Sequence, residues 1–365
     1  MSLRILYVIN ELQEGGAENA LCEIARRVHH RGHAVRVLAL YGADGAPAQR
    51  LRSDGVEVAE VGVTRLVHAE RMVRELRRAV REFKPELVHA WLFHANLACR
   101  VALPRSLPLV CSLRVCEPRK LHVLLDRWTR GRVSLYFANS TDVAEFARHR
   151  LKVAPERVCT VRNGVDAAAF ARARRHRASD TRLNGLTVAR ITRQKGVDIL
   201  LRGLALLPAE LPWQWTFAGD MPDPAYARRM KALAETLGVA DRILWRGRVP
   251  RQDVPALYRE ATVFGLPSRW EGEPNAVLEA MAAELPALAA PVQGVQGLLT
   301  EQPDCLVPVP DNTPADWAEV LVATWQSLAS LTPNLESAHQ LASRRSWNTT
   351  VDKHLAAYHS LKPGH

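Results

Sequence analysis

Short apolar runs alternate along the chain with longer segments whose apolar residues recur at helical spacing. Arg4–Ile9 is a short, mostly apolar run of the kind that forms a buried parallel strand. A Gly-rich turn follows, and a helical pattern then runs from Leu21 to Val28 until Gly32 ends it. Residues 34–40 form the next predicted strand. This order of elements predicts a parallel sheet that is covered by helices on both faces.

The same alternation continues in two stretches. In the first we predict strands at 56–61, 87–91 and 109–113 and amphipathic helices at 66–83 and 119–132. In the second we predict strands at 186–189, 215–218, 243–245 and 262–266 and helices at 197–207, 226–237, 254–260 and 276–283. A last amphipathic helix is predicted at 347–361.

An Arg-rich stretch of low apolar content separates the two stretches and is interpreted as an exposed linker. The predicted division is an N-terminal unit 1–167, the linker 168–183, a second unit 184–345 and a closing helical segment 346–365. Two α/β units joined in this way leave a cleft. Ligands of open parallel sheets lie at the carboxyl ends of the strands, where helix N-termini also point.

Composition and charge narrow the class of partner. The 365 residues and 47% hydrophobic content suit two globular domains. The net charge of +11 favours an anionic partner, namely nucleic acid, an acidic membrane surface or a phosphorylated small molecule, unless Arg is only the default surface charge of a GC-rich genome. Because aromatic residues rarely interrupt the basic runs and no recognition motif is present, we expect no nucleic-acid partner.

The cysteines and the N-terminus bear on metal binding and location. The 6 Cys include no Cys-x-x-Cys pair and no zinc-like Cys/His spacing, which predicts no metal site and free thiols in a reducing cytoplasm. No signal-peptide pattern opens the chain, and no run approaches the roughly 20 apolar residues that span a bilayer. We expect a cytoplasmic protein whose membrane contact is at most peripheral, on the inner face of the cytoplasmic membrane.

Cations follow a predicted strand of the second unit. Arg190 and Lys195 lie between that strand and the next helix, where a helix N-terminus favours anions. Solvated loop charge is the simpler interpretation of either residue taken alone. Together they are candidates for neutralising a departing diphosphate, as protein cations can in place of a metal ion.

Carboxylates follow a second predicted strand. Pro274 suits the first turn of a helix, which places Glu279 about one turn in and Glu271 in the preceding loop. A carboxylate can accept hydrogen bonds from adjacent hydroxyls of a ribose or hexose, and free amides at residues 275–277 suit a phosphate. Pairs of Glu are common by chance, whereas the whole string 269–281 is far more specific.

The order and spacing of these motifs resemble the retaining glycosyltransferases of family 4, also called glycosyl transferases group 1, which include lipopolysaccharide and phosphoinositol mannosyltransferases and sucrose synthase. The resemblance spans residues 4–361 and includes Gly15-Gly16-Ala17-Glu18, Arg31-Gly32-His33-Ala34-Val35, Asn163-Gly164-Val165-Asp166, Arg190 with Lys195, Gly247-Arg248-Val249 and 268–281. It implies a GT-B fold, in which two Rossmann-like domains face each other across a cleft. It also implies a hexosyltransferase that needs neither cofactor nor metal and uses a nucleoside-diphosphate sugar, with UDP, GDP and ADP left open.

The resemblance also assigns roles. Arg190 and Lys195 would hold the diphosphate, Glu279 the ribose hydroxyls, and Glu271 the donor sugar. The donor would further contact the first-domain glycine and the loops of the second domain: Gly16, Arg248, Val249, Gly272, Glu273, Pro274, Asn275, Ala276 and Val277. Gly15, His94 and Arg114 are candidates on the acceptor side. His89 is a further candidate, and for each His a packed or exposed structural role is the alternative.

Several residues depart from the family pattern. Glu273 stands where an aromatic or other apolar residue is usual, and it adds a negative charge where the diphosphate donor should approach. Glu284 replaces a common Gly, and Gln293-Gly294 and Gly297 stand where the family has Gly-Gly and Glu. These departures leave a second hypothesis open, in which the chain is a non-catalytic nucleotide-sugar-binding homologue or a partner subunit. For the acceptor we expect a glycan or a lipid-linked molecule, because the Arg-rich helices 66–83 and 119–132 suit an anionic membrane, although their apolar residues would equally suit a core.

Overall fold

The computed structural model describes residues 2–13, 15–63, 69–171, 182–327 and 332–361. It divides into two compact units, Met1–Gly164 with Trp347–His365, and Val165–Ser346. Of the predicted linker, residues 172–181 lie outside the described residues, and residues 168–171 belong to a helix of the second unit. Within the described ranges, no helix is long and apolar enough to cross a bilayer.

The first unit contains a 7-stranded parallel sheet with the order β3-β2-β1-β4-β5-β6-β7. Its strands are β1 (Arg4–Ile9), β2 (Ala34–Ala39), β3 (Glu57–Glu60), β4 (Leu87–Trp91), β5 (Leu109–Leu113), β6 (Leu135–Ala138) and β7 (Val158–Thr160). Its helices are α1 (Gly16–His30), α2 (Ala46–Ser53), α3 (Ala69–Phe83), α4 (Phe93–Ala102), α5 (Lys120–Thr129), α6 (Thr141–His149) and, from the far end of the chain, α15 (Trp347–Ser360).

Alternate side chains of the central strands enter two separate cores. In β1, Leu6 and Val8 join one core, whereas Ile5, Tyr7 and Ile9 join the other. The first core also takes residues of α3, α4 and α6, and the second takes residues of α1, α2 and α15. Because strand side chains point alternately to opposite faces, helices cover both faces of the sheet. This confirms the architecture that the apolar pattern predicts.

The second unit contains a 6-stranded parallel sheet with the order β10-β9-β8-β11-β12-β13. Its strands are β8 (Leu183–Val188), β9 (Trp213–Ala218), β10 (Ile243–Gly247), β11 (Val263–Leu266), β12 (Ala287–Ala289) and β13 (Val307–Pro308). Its helices are α7 (Ala167–Ala171), α8 (Val197–Leu204), α9 (Pro224–Thr236), α10 (Val254–Glu260), α11 (Asn275–Ala282), α12 (Gln293–Glu301), α13 (Pro314–Ser327) and α14 (Thr332–Arg344). Both units are therefore Rossmann-like.

Candidate functional site

The order of the chain through the second sheet reverses at β8. This strand pairs with β9 on one side and with β11 on the other, so the loops after β8 and β11 leave the same edge of the sheet. In open α/β sheets such a switch point is where ligands bind. The loop after β8 carries Arg190 and Lys195, and the loop after β11 carries Glu271. The predicted cations and carboxylate therefore lie at one edge of the sheet.

Lys195 and Glu271 are in direct contact there. Lys195 Nζ lies 2.5 Å from Glu271 Oε1, and Ser268 Oγ donates to the same oxygen at 2.5 Å. The Lys195 side chain is 17% exposed and the Glu271 side chain 7%, so the pair is largely shielded from water. Ser268 belongs to the family-like segment 268–281, but the sequence alone gave its side chain no role. A phosphate that reached this point would compete with Glu271 for the ammonium group.

The loops after β8 and β11 pack directly against each other. Gly196 has φ +66, and a Cβ atom built on it would lie 1.9 Å from the Pro267 carbonyl oxygen. Arg269 donates to both carboxylate oxygens of Asp198, at 2.9 and 2.7 Å. Such a bidentate pair fixes the direction of the guanidinium group as well as its distance. Asp198 and Arg269 are 71 residues apart, and no spacing rule connects them in the sequence.

Glu279 lies in α11 and is buried. Its Oε1 accepts from Arg251 Nη1 at 2.5 Å, and its Oε2 accepts from the Tyr258 hydroxyl at 3.0 Å. Burial, followed by the neighbouring carboxylate, raises the pKa of Tyr258 well above its usual value, so this hydroxyl remains a donor. Each Glu279 oxygen has a second lone pair, which leaves the oriented carboxylate able to accept from a diol.

The start of α11 differs in detail from the sequence prediction. The helix begins at Asn275, and Pro274 caps it from outside instead of occupying its first turn. The Val277 amide donates to the Pro274 carbonyl at 3.0 Å, so this amide already has an acceptor within the chain. Asn275 and Ala276 are partly exposed. Of the three amides that we considered for a phosphate, Val277 is therefore the least suited.

Glu273 has a cationic partner. Its Oε1 accepts from Arg345 Nη1 at 2.7 Å, and the two side chains are only 1% and 7% exposed. The sequence suggested an extra negative charge facing the donor. In the structure that charge is matched by Arg345, which precedes α15 and has no assigned role in the sequence analysis. Gly272, next to Glu273, is buried as well.

The remaining second-unit candidates lie at the ends of neighbouring strands. Arg190 is exposed and directly follows Ala189. The Ala189 carbonyl oxygen lies so close to Gly219 that a Cβ atom added there would be only 2.0 Å away, so the backbones at these two positions are in direct contact. Arg248 is exposed and Val249 half-buried, directly after Gly247 at the end of β10. All of them lie at the carboxyl edge of the sheet. Among the described residues, no group of three or more His, Cys, Asp or Glu side chains could hold a metal ion.

The acceptor-side candidates belong to the first unit. Gly15 precedes α1, and Gly16 begins it. His94 lies in the first turn of α4 beside Asn10, with His94 Nδ1 and Asn10 Nδ2 3.4 Å apart. Burial, followed by His122 and Arg119, lowers the pKa of His94, so the ring is neutral at pH 7.

Arg114 and His89 have different surroundings. Arg114 donates from Nη2 to Asn163 Oδ1 at 2.6 Å, and its guanidinium carbon lies 4.9 Å from the centre of the Trp91 ring. His89 lies inside β4 with no exposed surface, 2.6 Å from the Tyr358 hydroxyl and 2.8 Å from Ser112 Oγ. His89 is therefore a core residue, and its candidacy for the acceptor side is wrong because its side chain is buried between the sheet and α15.

Comparison with known proteins agrees with this arrangement. Residues 182–327 match the family model for glycosyl transferases group 1, and residues 14–169 match the model for glycosyltransferase family 4. D-inositol 3-phosphate glycosyltransferase 1 of Catenulispora acidiphila is 30% identical over 96% of this chain and 92% of its own. The lipopolysaccharide core biosynthesis mannosyltransferase LpsB of Rhizobium meliloti is 36% identical over 30% of this chain and 32% of its own.

A solved structure shows the same fold. Alr3699/HepE from Anabaena, in complex with UDP-glucose, superposes with a TM-score of 0.85 at 20% identity, covering 98% of this chain and 100% of that one. Two Rossmann-like units with these neighbours constitute the GT-B fold. The strand order, the loops at the switch point and the full-length relative together place the chain in the glycosyltransferase family 4, or glycosyl transferases group 1, family.

Proposed function

We propose that this glycosyltransferase moves a sugar from a nucleoside diphosphate to an acceptor hydroxyl with retention of the anomeric configuration. The observation that carries the proposal is the contact between Lys195 and Glu271 at the switch point, with Glu279 buried in the next helix. In this proposal the cation holds the diphosphate, Glu271 contacts the sugar and Glu279 binds the ribose, and the closeness of these side chains at one edge of the sheet supports that assignment.

The proposed reaction breaks the bond between the anomeric carbon and the diphosphate oxygen and forms a bond to the acceptor oxygen on the same face. Lys195 and Arg190 stabilise the charge that develops on the departing diphosphate, and that diphosphate in turn stabilises the positive anomeric carbon. The acceptor proton passes to the departing phosphate oxygen. Protein cations take the place of a metal ion here, so the activity is expected to persist in a chelator.

The donor and acceptor classes are proposed from the relatives. UDP is the first nucleotide to test, because a structure of the same fold is described with UDP-glucose. The names of relatives in D-inositol 3-phosphate glycosylation and lipopolysaccharide core biosynthesis support a glycan or lipid-linked acceptor in the synthesis of cell-envelope polysaccharide or glycolipid. Screening UDP-, GDP- and ADP-sugars for thermal stabilisation and for release of nucleoside diphosphate tests both the binding and the turnover.

Replacing Glu279 by Ala is expected to raise the donor KM by about tenfold to a hundredfold, because hydrogen bonds to a charged group contribute about 1.5–3 kcal/mol. The matched control is Glu260→Ala, which removes an exposed carboxylate of the same unit. Steady-state kinetics with the donor found in the screen measures the change. An unchanged donor KM in a folded Glu279→Ala protein would refute the ribose-binding role.

The surface of α5 supports a peripheral membrane contact. Leu121, Leu124 and Trp128 share one face of this helix and are 64%, 43% and 77% exposed. On the opposite face, the buried Asp126 forms an ion pair with the buried Arg100, which holds that face against the unit. The sequence left open whether the apolar residues are core, and these three are on the surface. An exposed apolar patch of this kind marks a surface for contact with a membrane or another protein.

Charge favours a bilayer as that partner. Arg119, Lys120 and Arg127 are exposed on or beside the same helix. Trp with Leu on one face and Lys or Arg around it is the pattern of helices that lie in the interface of an anionic membrane. We propose that the α5 surface, residues 119–128, docks the enzyme on anionic lipid and so brings it to a lipid-linked acceptor.

Replacing Leu121, Leu124 and Trp128 together by Ser is expected to weaken binding to phosphatidylcholine–phosphatidylglycerol vesicles by about tenfold or more. Leu206→Ser is the matched control, since Leu206 is 59% exposed in the other unit. Vesicle sedimentation measures binding, and added salt should weaken it. Vesicle binding that does not depend on salt would contradict the role of the basic residues. If the triple variant instead loses self-association while its vesicle binding is unchanged, the partner of this surface is a second copy of the protein.

A further inference from the structure

The partner of Glu273 comes from a distant part of the chain. Glu273 follows Gly272 in the loop after β11, whereas Arg345 follows α14, and 72 residues separate the two. Both side chains are almost completely buried. A buried charge is costly unless it is paired, and removing one member of a buried pair leaves the other charge uncompensated. The ion pair with Arg345 therefore contributes to the loop conformation that buries Glu273.

Arg345 makes two other contacts. Its Nη2 donates to Glu301, the last residue of α12. Its carbonyl oxygen accepts from the Val165 amide at 2.7 Å. The chain passes from one unit to the other between Gly164 and Val165 and again between Ser346 and Trp347. Arg345 thus contacts the loop after β11, the end of α12 and Val165, the first residue of the second unit, and it lies one residue before that unit ends at Ser346.

The other end of α12 also touches this loop. A Cβ atom built on Gly294 would lie 2.3 Å from the Gly272 carbonyl oxygen, so the two backbones are in direct contact. Gly294 therefore bounds the loop at Gly272, and Arg345 holds it at Glu273. Because Arg345 also binds Glu301, its guanidinium group joins the loop to the end of the helix, while its carbonyl oxygen binds the Val165 amide.

We infer that Arg345 is a positioning residue for the donor site, holding the Gly272–Glu273 backbone in place through its ion pair with Glu273 and linking it to the segments that connect the two units. The inference rests on the proposed function, which makes this loop a donor contact. Arg345 itself does not touch the donor. Its effect is on the geometry of the loop, so it should appear in donor affinity more than in the chemical step.

Glu273→Gln tests the inference, with Glu301→Gln as the matched control. Each variant removes the charge of one carboxylate that binds the Arg345 guanidinium group, but only Glu273 lies in the donor loop. We expect Glu273→Gln to raise the donor KM and the calorimetric donor Kd by about tenfold, with kcat changed by less than about threefold, whereas Glu301→Gln leaves the donor constants unchanged. Both variants should lower Tm, which alone would indicate only a structural role.

A double variant separates ion pairing from packing. Glu273→Leu with Arg345→Leu removes both charges, and such a replacement of a buried pair by apolar residues generally preserves the fold. Weak donor binding in the folded double variant would support the inference. Wild-type donor Kd in Glu273→Gln or in the double variant, or equal losses in the Glu273 and Glu301 variants, would overturn it. A wild-type enzyme that binds donor without turnover would contradict the proposed function instead, and the Kd comparison would still decide the role of Arg345.

Discussion

Lys195→Ala is expected to lower kcat by about 100- to 1,000-fold, the effect typical of removing one group that stabilises developing negative charge in a transition state. Lys195 is the partly shielded cation that contacts Glu271 at the switch point of the second sheet. In the proposed reaction its charge would act on the departing diphosphate more strongly from this shielded position than in bulk water. The donor KM should change less than kcat, because the interaction strengthens as the bond breaks.

Arg193→Ala is the matched control for this prediction. Arg193 lies in the same short loop and is exposed, so its replacement should leave kcat within about threefold of wild type. Rapid-mixing or steady-state measurement of nucleoside diphosphate release compares the two variants, with Tm recorded for each. Equal kcat in folded Lys195→Ala and wild type, or equal losses in the two variants, would show that Lys195 has no special part in the chemistry.

Gly196→Ala is expected to lower the free energy of unfolding by at least about 3 kcal/mol, through left-handed backbone strain and overpacking. Gly196 has φ +66, and its added Cβ would lie 1.9 Å from the Pro267 carbonyl oxygen. That oxygen is backbone and cannot rotate away. Relief of the overlap therefore requires the loops after β8 and β11 to separate, which would also move Lys195 away from Glu271.

Gly238→Ala isolates the steric part of this effect. Gly238 has φ +70, but its added Cβ would meet nothing within 4 Å. It should cost only the left-handed strain, about 1–2 kcal/mol. Urea unfolding of both variants measures the difference. Equal destabilisation by the two substitutions would contradict the close approach of the loops that the site requires.

The apolar pattern was sufficient to predict both sheets and most of their strands. Arg4–Ile9, Leu87–Trp91 and Leu109–Leu113 have the predicted bounds, because each contains a continuous run of at least five buried residues. α4 was not predicted, and its mixed sequence, with buried Asn96 and Arg100 among small residues, shows no helical stripe. For such an element the packing decides the structure more than its own periodicity does.

The candidate site was predictable where a motif lies in one segment. Lys195, Glu271 and Glu279 follow their strands or begin their helix, and their neighbourhood follows from sheet topology. Their partners were not predictable, because Arg251 and Arg345 approach from other loops and nothing in their local sequence marks them. Glu273 is an example. From the sequence its negative charge is expected to repel the diphosphate of a donor, whereas in the structure it forms an ion pair with Arg345.

The amphipathic pattern of α5 was likewise visible in the sequence, but the sequence did not show which face of the helix packs against the unit. A stripe of Leu and Trp identifies an amphipathic helix without saying which face packs inward. Here the buried Arg100–Asp126 pair holds the polar face against the unit and turns Leu121 and Trp128 to the surface. Only the position of Arg100 on the neighbouring helix α4 settles this choice.

The anomeric configuration of the first sugar released shows whether transfer occurs with retention or inversion. Retaining transfer predicts that slow hydrolysis of an α-linked donor, such as UDP-α-glucose or whichever donor the screen identifies, gives the α anomer first, with a chelator present. Proton NMR at early times distinguishes the two anomers before they interconvert, and no acceptor needs to be known. We expect the α anomer from wild type and negligible release from Lys195→Ala. Initial release of the β anomer, or equal release by the two proteins, would contradict the proposed reaction.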